Sequence, residues 1–236
     1  MNVALVIAGG KGQRTHQDIP KQFLSVYDRP IIIYTLNQFQ QHPDIDAINV
    51  VCLDGWQEIL KAYAKQFHIT KLNETVTGGA TVQESIRNGV KSLEGLCKPD
   101  DIVLIHDGIR PLVDQAIISD CIVTCRQHGN AVSSQPYYEQ IFVAKDEKST
   151  EKYIPRDMIM RMQTPQAYKF SKILWAYEKA FADNIGIEGS AFTNTMMVDL
   201  GETLYFSMGS SKNIKITTTD DIEIFRALVG KKQSVI

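Results

Sequence analysis

Apolar positions along the chain follow two alternating rhythms. A β-branched apolar run at residues 3–7 and an apolar run at 101–105 predict buried strands, and 47–53 and 131–135 read as further strands. Between them, spacing with a helical period predicts helices over 31–39 (opened by Pro30), 55–67, 82–93 and 115–127. A short strand at 75–77 ends at Gly78-Gly79. The alternation breaks at 137–155, where Ile141-Phe142-Val143 and Tyr153-Ile154 flank a charged tip, the pattern of a protruding β-arm. Beyond it come helices near 171–181 and 192–200, a strand at 203–206, and a further strand at Asn213-Ile214-Lys215-Ile216-Thr217. A last helix runs from Asp220 or Asp221 to Leu228, its N-terminus suited by the aspartates. Strand and helix in turn give an α/β fold, a Rossmann-like and mostly parallel sheet with helices on both faces. Residues 1–236 read as one domain, with the arm at 137–155 inside it.

Composition narrows what such a domain can do. Of the 236 residues, 44% are apolar, enough for a proper core, and the net charge of -2 gives no electrostatic case for nucleic acid or a membrane surface. Cys52, Cys97, Cys121 and Cys125 form no C-x-x-C pair; Cys121 and Cys125 share a helix face as core residues. A cytoplasmic location is expected, since scattered cysteines suit a reducing compartment and the first apolar run lacks the basic flank of a secretion signal.

The candidate chemistry sits where strands end, because ligands of parallel sheets gather at their carboxyl edge. The first strand runs into Ala8-Gly9-Gly10-Lys11-Gly12-Gln13-Arg14, followed by Pro20-Lys21-Gln22-Phe23. Glycines bare the backbone N–H groups, and Arg14 and Lys21 bracket them with positive charge, a combination that suits a polyphosphate. The dinucleotide fingerprint is not met, because Thr15 stands after Arg14 where no third glycine follows, and neither is the P-loop pattern. After the strand at 101–105 comes His106-Asp107-Gly108-Ile109-Arg110-Pro111. Asp107 there can hold a metal ion or accept from substrate hydroxyls, and Arg110 can clamp a phosphate; the two can equally form a loop-stabilising ion pair. His106 reads as a packed histidine.

With these stretches, Gln163-Thr164-Pro165-Gln166 and Asn213-Ile214-Lys215-Ile216-Thr217 complete an ordered set of motifs. Together they resemble the cytidylyltransferases that act on methylerythritol phosphate and on ribitol 5-phosphate, members of the sugar-nucleotide pyrophosphorylase superfamily. The resemblance runs from about residue 3 to about residue 228. It implies transfer of CMP from CTP to a polyol phosphate, giving a CDP-polyol and pyrophosphate; triphosphate chemistry adds Mg²⁺ as the expected cofactor. It implies Arg14, Lys21 and Lys215 as catalytic cations, and Ala8, Gly9, Gly10, Gly12, Gly79, Ser85 and Asp107 as the nucleotide site. Asp107, Arg110, Gln140, Arg156 and Thr164 are implied on the substrate side, and Asp107 as a candidate metal contact. It also implies a homodimer in which the arm, with Arg156, reaches the neighbouring subunit's site.

The chain departs from the family pattern at the base loop, with Ala80 and Val82 where an acidic residue and an arginine are usual, and at the foot of the arm, with Glu139-Gln140 where Asp-Thr is common. These positions bear on specificity rather than on Arg14, Lys21, Asp107 and Lys215. D-Ribitol 5-phosphate, serving cell-surface polymer synthesis, is the expected acceptor; 2-C-methyl-D-erythritol 4-phosphate of isoprenoid synthesis is the alternative, with glycerol and arabinitol phosphates open. Two other classes stand beside these: a nicotinamide oxidoreductase, disfavoured by Thr15, and a non-catalytic nucleotide-binding module, which has no need of Lys21, Asp107, Arg156 and Lys215 together.

Overall fold

The computed structural model describes residues 1–10, 19–189 and 192–233. Lys11, Gly12, Gln13 and Arg14 lie outside the described residues. In chain order, β1 (Asn2–Ala8) is followed by a small hairpin of β2 (Ser25–Val26) and β3 (Arg29–Pro30), then α1 (Ile31–Gln41), β4 (Ala47–Cys52), α2 (Gln57–Gln66), β5 (Leu72–Thr77), α3 (Val82–Lys91), β6 (Ile102–Asp107), α4 (Gln115–His128) and β7 (Asn130–Pro136). The arm is β8 (Ile141–Ala144) and β9 (Thr150–Ile154), and the chain closes with β10 (Met160–Lys169), α5 (Phe170–Asp183), α6 (Thr193–Asp199), β11 (Phe206–Met208) and α7 (Thr219–Gln233).

These build a seven-stranded sheet in the order β11-β7-β10-β6-β1-β4-β5. β1 pairs in parallel with β4 and β6, so their carboxyl ends, at Ala8, Cys52 and Asp107, share one edge. The apolar runs alternate their side chains between two layers. Ala4, Val6, Ile48, Val50 and Leu104 pack with α1, α2 and α4. Val3, Leu5, Val51, Val103 and Ile105 pack with α3, α5 and α6. A third cluster, with Ile31, Ile216, Ile222 and Phe225, fastens α7 against α1. Helix ends follow their local chemistry: Asp114 caps α4 by accepting from the Ile117 N–H at 3.0 Å, and Gly129 ends it with φ 85°.

The structure corrects the expected elements at several places. β10 is an unforeseen ten-residue strand, antiparallel to both β6 and β7. Pro165 offers no N–H and reads as a turn signal, yet a register shift between Met162 and Gln166 lets the strand pass through it. Residues 213–217 are not a strand. Their alternation reflects burial of Ile216 in the third cluster, with one ladder-like bond, from the Ile216 N–H to the Ile109 carbonyl at 2.9 Å. The strand expected at 203–206 begins at Phe206, because the Asn130 side chain takes its place on the preceding stretch: its amide donates to the Thr203 carbonyl at 2.9 Å and accepts from the Tyr205 N–H at 3.1 Å. β5 starts at Leu72, earlier than expected, since an edge strand can carry the polar Asn73 and Glu74. The buried thiols are structural: burial pushes Cys121 and Cys125 up to about 12.

Candidate active site

A cavity of about 520 Å³ opens at the carboxyl edge of the sheet, lined by Ala8 and Gly10 after β1, Lys21 and Gln22, Asp107 at the end of β6, Thr164 and Gln166 of β10, Phe192 and Thr193 at the start of α6, and Lys215. The parallel register of β1 and β6 explains why Ala8 and Asp107 meet there.

Lys21 is 9% exposed and opens a short 3-10 turn (Lys21–Phe23) after Pro20. That turn is pinned from two sides. The Gln22 amide donates to the Ala8 carbonyl at 2.7 Å and to the Gly10 carbonyl at 3.0 Å, and the Phe23 ring stacks on Trp56 with centroids 4.6 Å apart. The carbonyls of the glycine loop thus turn toward Gln22, and Lys21 is fixed against the cavity.

Asp107 lies between two cations. Arg110 Nε donates to one carboxylate oxygen at 2.9 Å, and Lys215 Nζ to the other at 3.2 Å. Burial by itself would raise the Asp107 pKa; the Lys215 and Arg110 charges outweigh it and hold the carboxyl below its usual range. Arg110 Nη1 also donates to the Asn213 carbonyl at 2.8 Å, and the Thr164 hydroxyl lies 3.1 Å from the Asp107 N–H, which donates to it. The Asp107–Arg110 pair is thus an ion pair whose carboxylate lines the cavity, whereas Arg110, expected as a possible phosphate clamp, does not line it. His106 is fully buried, meets the Arg110 carbonyl at 3.1 Å and the Phe39 ring edge-on at 5.1 Å, and burial lowers its pKa to about 4.

The loop from Gly78 to Ser85 closes on itself. The Ser85 hydroxyl accepts from the Gly79 N–H at 3.0 Å and donates to the Thr81 carbonyl at 2.8 Å. The Thr81 hydroxyl caps α3 by accepting from the Glu84 N–H at 3.0 Å, and Glu84 accepts from the Ala80 N–H at 2.7 Å. Any Cβ at Gly79 would lie 2.4 Å from the Glu84 Cβ, so this fold of the loop requires glycine. One Cβ placed on Gly9 would sit 3.6 Å from both the Gly78 Cα and the Ser85 hydroxyl, so the two glycine loops lie side by side.

Of the residues expected at the site, Ala8, Gly10, Lys21, Asp107, Thr164 and Lys215 line the one cavity. Gly9, Gly79 and Ser85 stand in the adjoining loops, and Arg110 stands behind Asp107. Gln140 and Arg156 are exposed on the arm and line a separate cavity of about 510 Å³ with Phe142 and Tyr153. Gly12 and Arg14 fall outside the described residues. The sequence reading missed Gln22, Gln166, Phe192 and Thr193. Gln22 was visible beside Lys21 in its motif, whereas Phe192 carried no signal; its ring lies 5.9 Å from Lys215 Nζ. Thr193 is held by the buried Tyr177 hydroxyl, 2.8 Å from its own and 2.9 Å from the Gln83 amide oxygen.

The sequence model of the family described as 2-C-methyl-D-erythritol 4-phosphate cytidylyltransferase, IspD, matches residues 2–231. A ribitol-5-phosphate cytidylyltransferase of Lacticaseibacillus paracasei is 53% identical over 99% of this chain and 100% of its own. A 2-C-methyl-D-erythritol 4-phosphate cytidylyltransferase of Clostridium acetobutylicum is 35% identical over 100% of both. The crystal structure of 4-diphosphocytidyl-2C-methyl-D-erythritol synthase from Anaerococcus prevotii superposes with a TM-score of 0.80 at 24% identity, covering 97% of this chain and 98% of that one, and shares the fold. With the family matched from β1 to α7, the chain belongs to the IspD family of cytidylyltransferases.

Proposed function

We propose that this protein transfers the cytidylyl group of CTP to D-ribitol 5-phosphate, forming CDP-ribitol and pyrophosphate. The chemistry rests on one observation: Lys21 and Lys215 line the same cavity as the glycine loop and Asp107. The choice of acceptor rests on the 53% identity to a ribitol-5-phosphate cytidylyltransferase, against 35% to a methylerythritol-phosphate enzyme.

In this reading the triphosphate lies along the Gly9-Gly10 backbone, and Gly12 and Arg14, outside the described residues, are expected to bind it as well. A phosphate oxygen of ribitol 5-phosphate attacks the α-phosphorus in line; the new P–O bond forms as the bond to the β-phosphate bridging oxygen breaks, and pyrophosphate leaves with that electron pair. Lys21 and Lys215 neutralise the charge that builds on the α-phosphate. For Lys215 this means exchanging its Asp107 partner for phosphate oxygens. Gly79 and Ser85 frame the cytosine; the Ser85 hydroxyl has spent its proton on Thr81 and keeps an acceptor lone pair for the base. Arg110 holds Asp107 in place for the polyol hydroxyls, and Thr164 faces the same space.

Among the described residues no group of three or more histidine, cysteine or acidic side chains is placed to cage a metal ion, and Asp107 is the carboxylate lining the cavity. That fits magnesium, which is commonly held by one or two carboxylates together with substrate phosphates. Bound there it would draw on Asp107 and add to the neutralisation of the triphosphate.

The arm's exposed Phe142 and Tyr153, 55% and 69% accessible, support a homodimer in which Gln140 and Arg156 reach the acceptor phosphate in the partner's cavity. Free cysteines at all four positions, and the lack among the described residues of a helix long and apolar enough to cross a membrane, support work in the cytoplasm, supplying cell-surface polymer synthesis. Pyrophosphate release from CTP with a panel of polyol phosphates tests the reading. Ribitol 5-phosphate is expected to give the highest kcat/KM. Preference for methylerythritol 4-phosphate would move the protein to the isoprenoid branch, and CTP binding without turnover on any acceptor would make it a binding module.

A further inference from the structure

We propose that Gln163 is a positioning residue that sets the place of Lys215 in the active site; the proposal rests on the reading of Lys215 as a cation for the reacting phosphates. Lys215 belongs to a stretch with neither helix nor strand, between the end of β11 and the start of α7. A side chain carried by such a stretch owes its position to whatever fastens the backbone.

Ile216, buried in the third cluster with its N–H on the Ile109 carbonyl, fastens the stretch on one side of Lys215, and Gln163 fastens it on the other. The Gln163 side chain is 2% exposed and does not line the 520 Å³ cavity, although its neighbour Thr164 does. It grips Ser210 at both backbone groups: the amide nitrogen donates to the Ser210 carbonyl at 2.9 Å, and the amide oxygen accepts from the Ser210 N–H at 3.1 Å. The same oxygen lies 3.5 Å from the Asn213 side-chain amide, which also donates to the Thr164 carbonyl at 2.8 Å. Gly209 presses on it closely enough that an added Cβ would sit 2.9 Å from the Gln163 oxygen and 2.7 Å from the Ser134 carbonyl. From Asn213 the connection runs on to the site: its carbonyl accepts from Arg110, and Lys215 reaches Asp107 two residues later. Gln163 lies within the register shift of β10, between Met162 and Gln166.

A primary amide is the group this clasp needs, because it donates and accepts from one end. Glutamate in its place accepts only and faces the Ser210 carbonyl with a second acceptor; methionine of similar length does neither. Either change slackens the stretch and moves the Lys215 ammonium relative to the cavity, and a displacement of about 1 Å at a reacting centre is enough to cost on the order of 100-fold in rate. Because Gln163 acts through a cation that meets charge building on the α-phosphate in the transition state, the loss falls mainly on kcat.

The test is a double-variant cycle with CTP and ribitol 5-phosphate, measuring kcat, KM for CTP and thermal midpoint for Gln163→Met, Lys215→Ala and the pair. Gln163→Met is expected to lower kcat roughly 10- to 100-fold with KM for CTP within about threefold, and to add less than about twofold once Lys215 is already alanine. Should Gln163→Met fold poorly, the isosteric Gln163→Glu is held to the same criterion. An unchanged kcat in a folded Gln163 variant, or a full additional loss in the Lys215→Ala background, would overturn the role of Gln163 and leave the proposed function standing. An unchanged kcat in Lys215→Ala alone would overturn the reading of Lys215 and this proposal with it.

Discussion

Asp107 serves two cations with different tasks, and substitutions can separate them. Arg110 is buried, 9% exposed, and its guanidinium leans on Asp107 and the Asn213 carbonyl; Lys215 is about a third exposed at the cavity. Removing the carboxylate strands a buried charge, so Asp107→Ala is expected to cost roughly 2–3 kcal/mol, a fall in melting temperature of about 5–10 °C. Lys215→Ala removes a partly screened charge and is expected to leave the melting temperature within a few degrees while lowering kcat roughly 100- to 1,000-fold. Thermal unfolding and initial rates on the two variants check both halves; a Lys215 variant that is fully active would contradict the role of the lysine. Lys21, Asp107, Thr164 and Lys215 were legible because charge and glycine recur in motifs with fixed spacing. Gln22 and Gln163 stand in the same motifs, but their roles were not legible, since an amide bonded to main-chain groups leaves no mark in charge or hydropathy.

Elements were legible where burial follows a simple rhythm and obscure where side chains replace backbone partners. The central strands and their covering helices came from apolar period alone. β10 did not, because Pro165 suggested a turn; nor did the start of β11, which the Asn130 side chain delays. The irregular stretch bearing Lys215 mimicked a strand through its buried isoleucine. It ends in a capping box at α7: the Thr218 hydroxyl accepts from the Asp221 N–H at 3.3 Å, and the Asp221 carboxylate accepts from the Thr218 N–H at 2.8 Å and from both the N–H and hydroxyl of Thr217 at 2.7 Å. Partial burial pushes the Asp221 carboxyl up, and these hydrogen bonds outweigh it, so its pKa lies below the usual value. Asp221→Ala is therefore expected to cost about 1 kcal/mol. With a depressed folded pKa the contribution is complete above the ordinary carboxylate value of 3.8 and lost as pH falls through the folded one. The gap in stability between wild type and variant should thus be constant at neutral pH and close in strong acid; a gap that widens on acidification would contradict the capping role.

At the scale of the molecule, the cavity draws on the carboxyl edge of a single sheet, while Gln140 and Arg156 stand apart on the arm. If the arm completes a neighbour's site, mixing Lys21→Ala chains with Arg156→Ala chains is expected to restore activity, since a heterodimer holds one site with both residues intact. Mixed dimers without recovered activity would show that each chain builds its own site. The arm itself was legible from its charged tip between two strand-like runs; which surface it meets was not, because exposed aromatic residues name no partner. The central claim, that Lys21 and Lys215 hold a triphosphate between them, is tested most directly by a crystal structure with CTP and magnesium. The triphosphate is expected to lie along Gly9 and Gly10, with Lys21 on the α-phosphate and Lys215 drawn from Asp107 to phosphate oxygens. A nucleotide bound away from this edge, with Lys215 still on Asp107, would contradict the account.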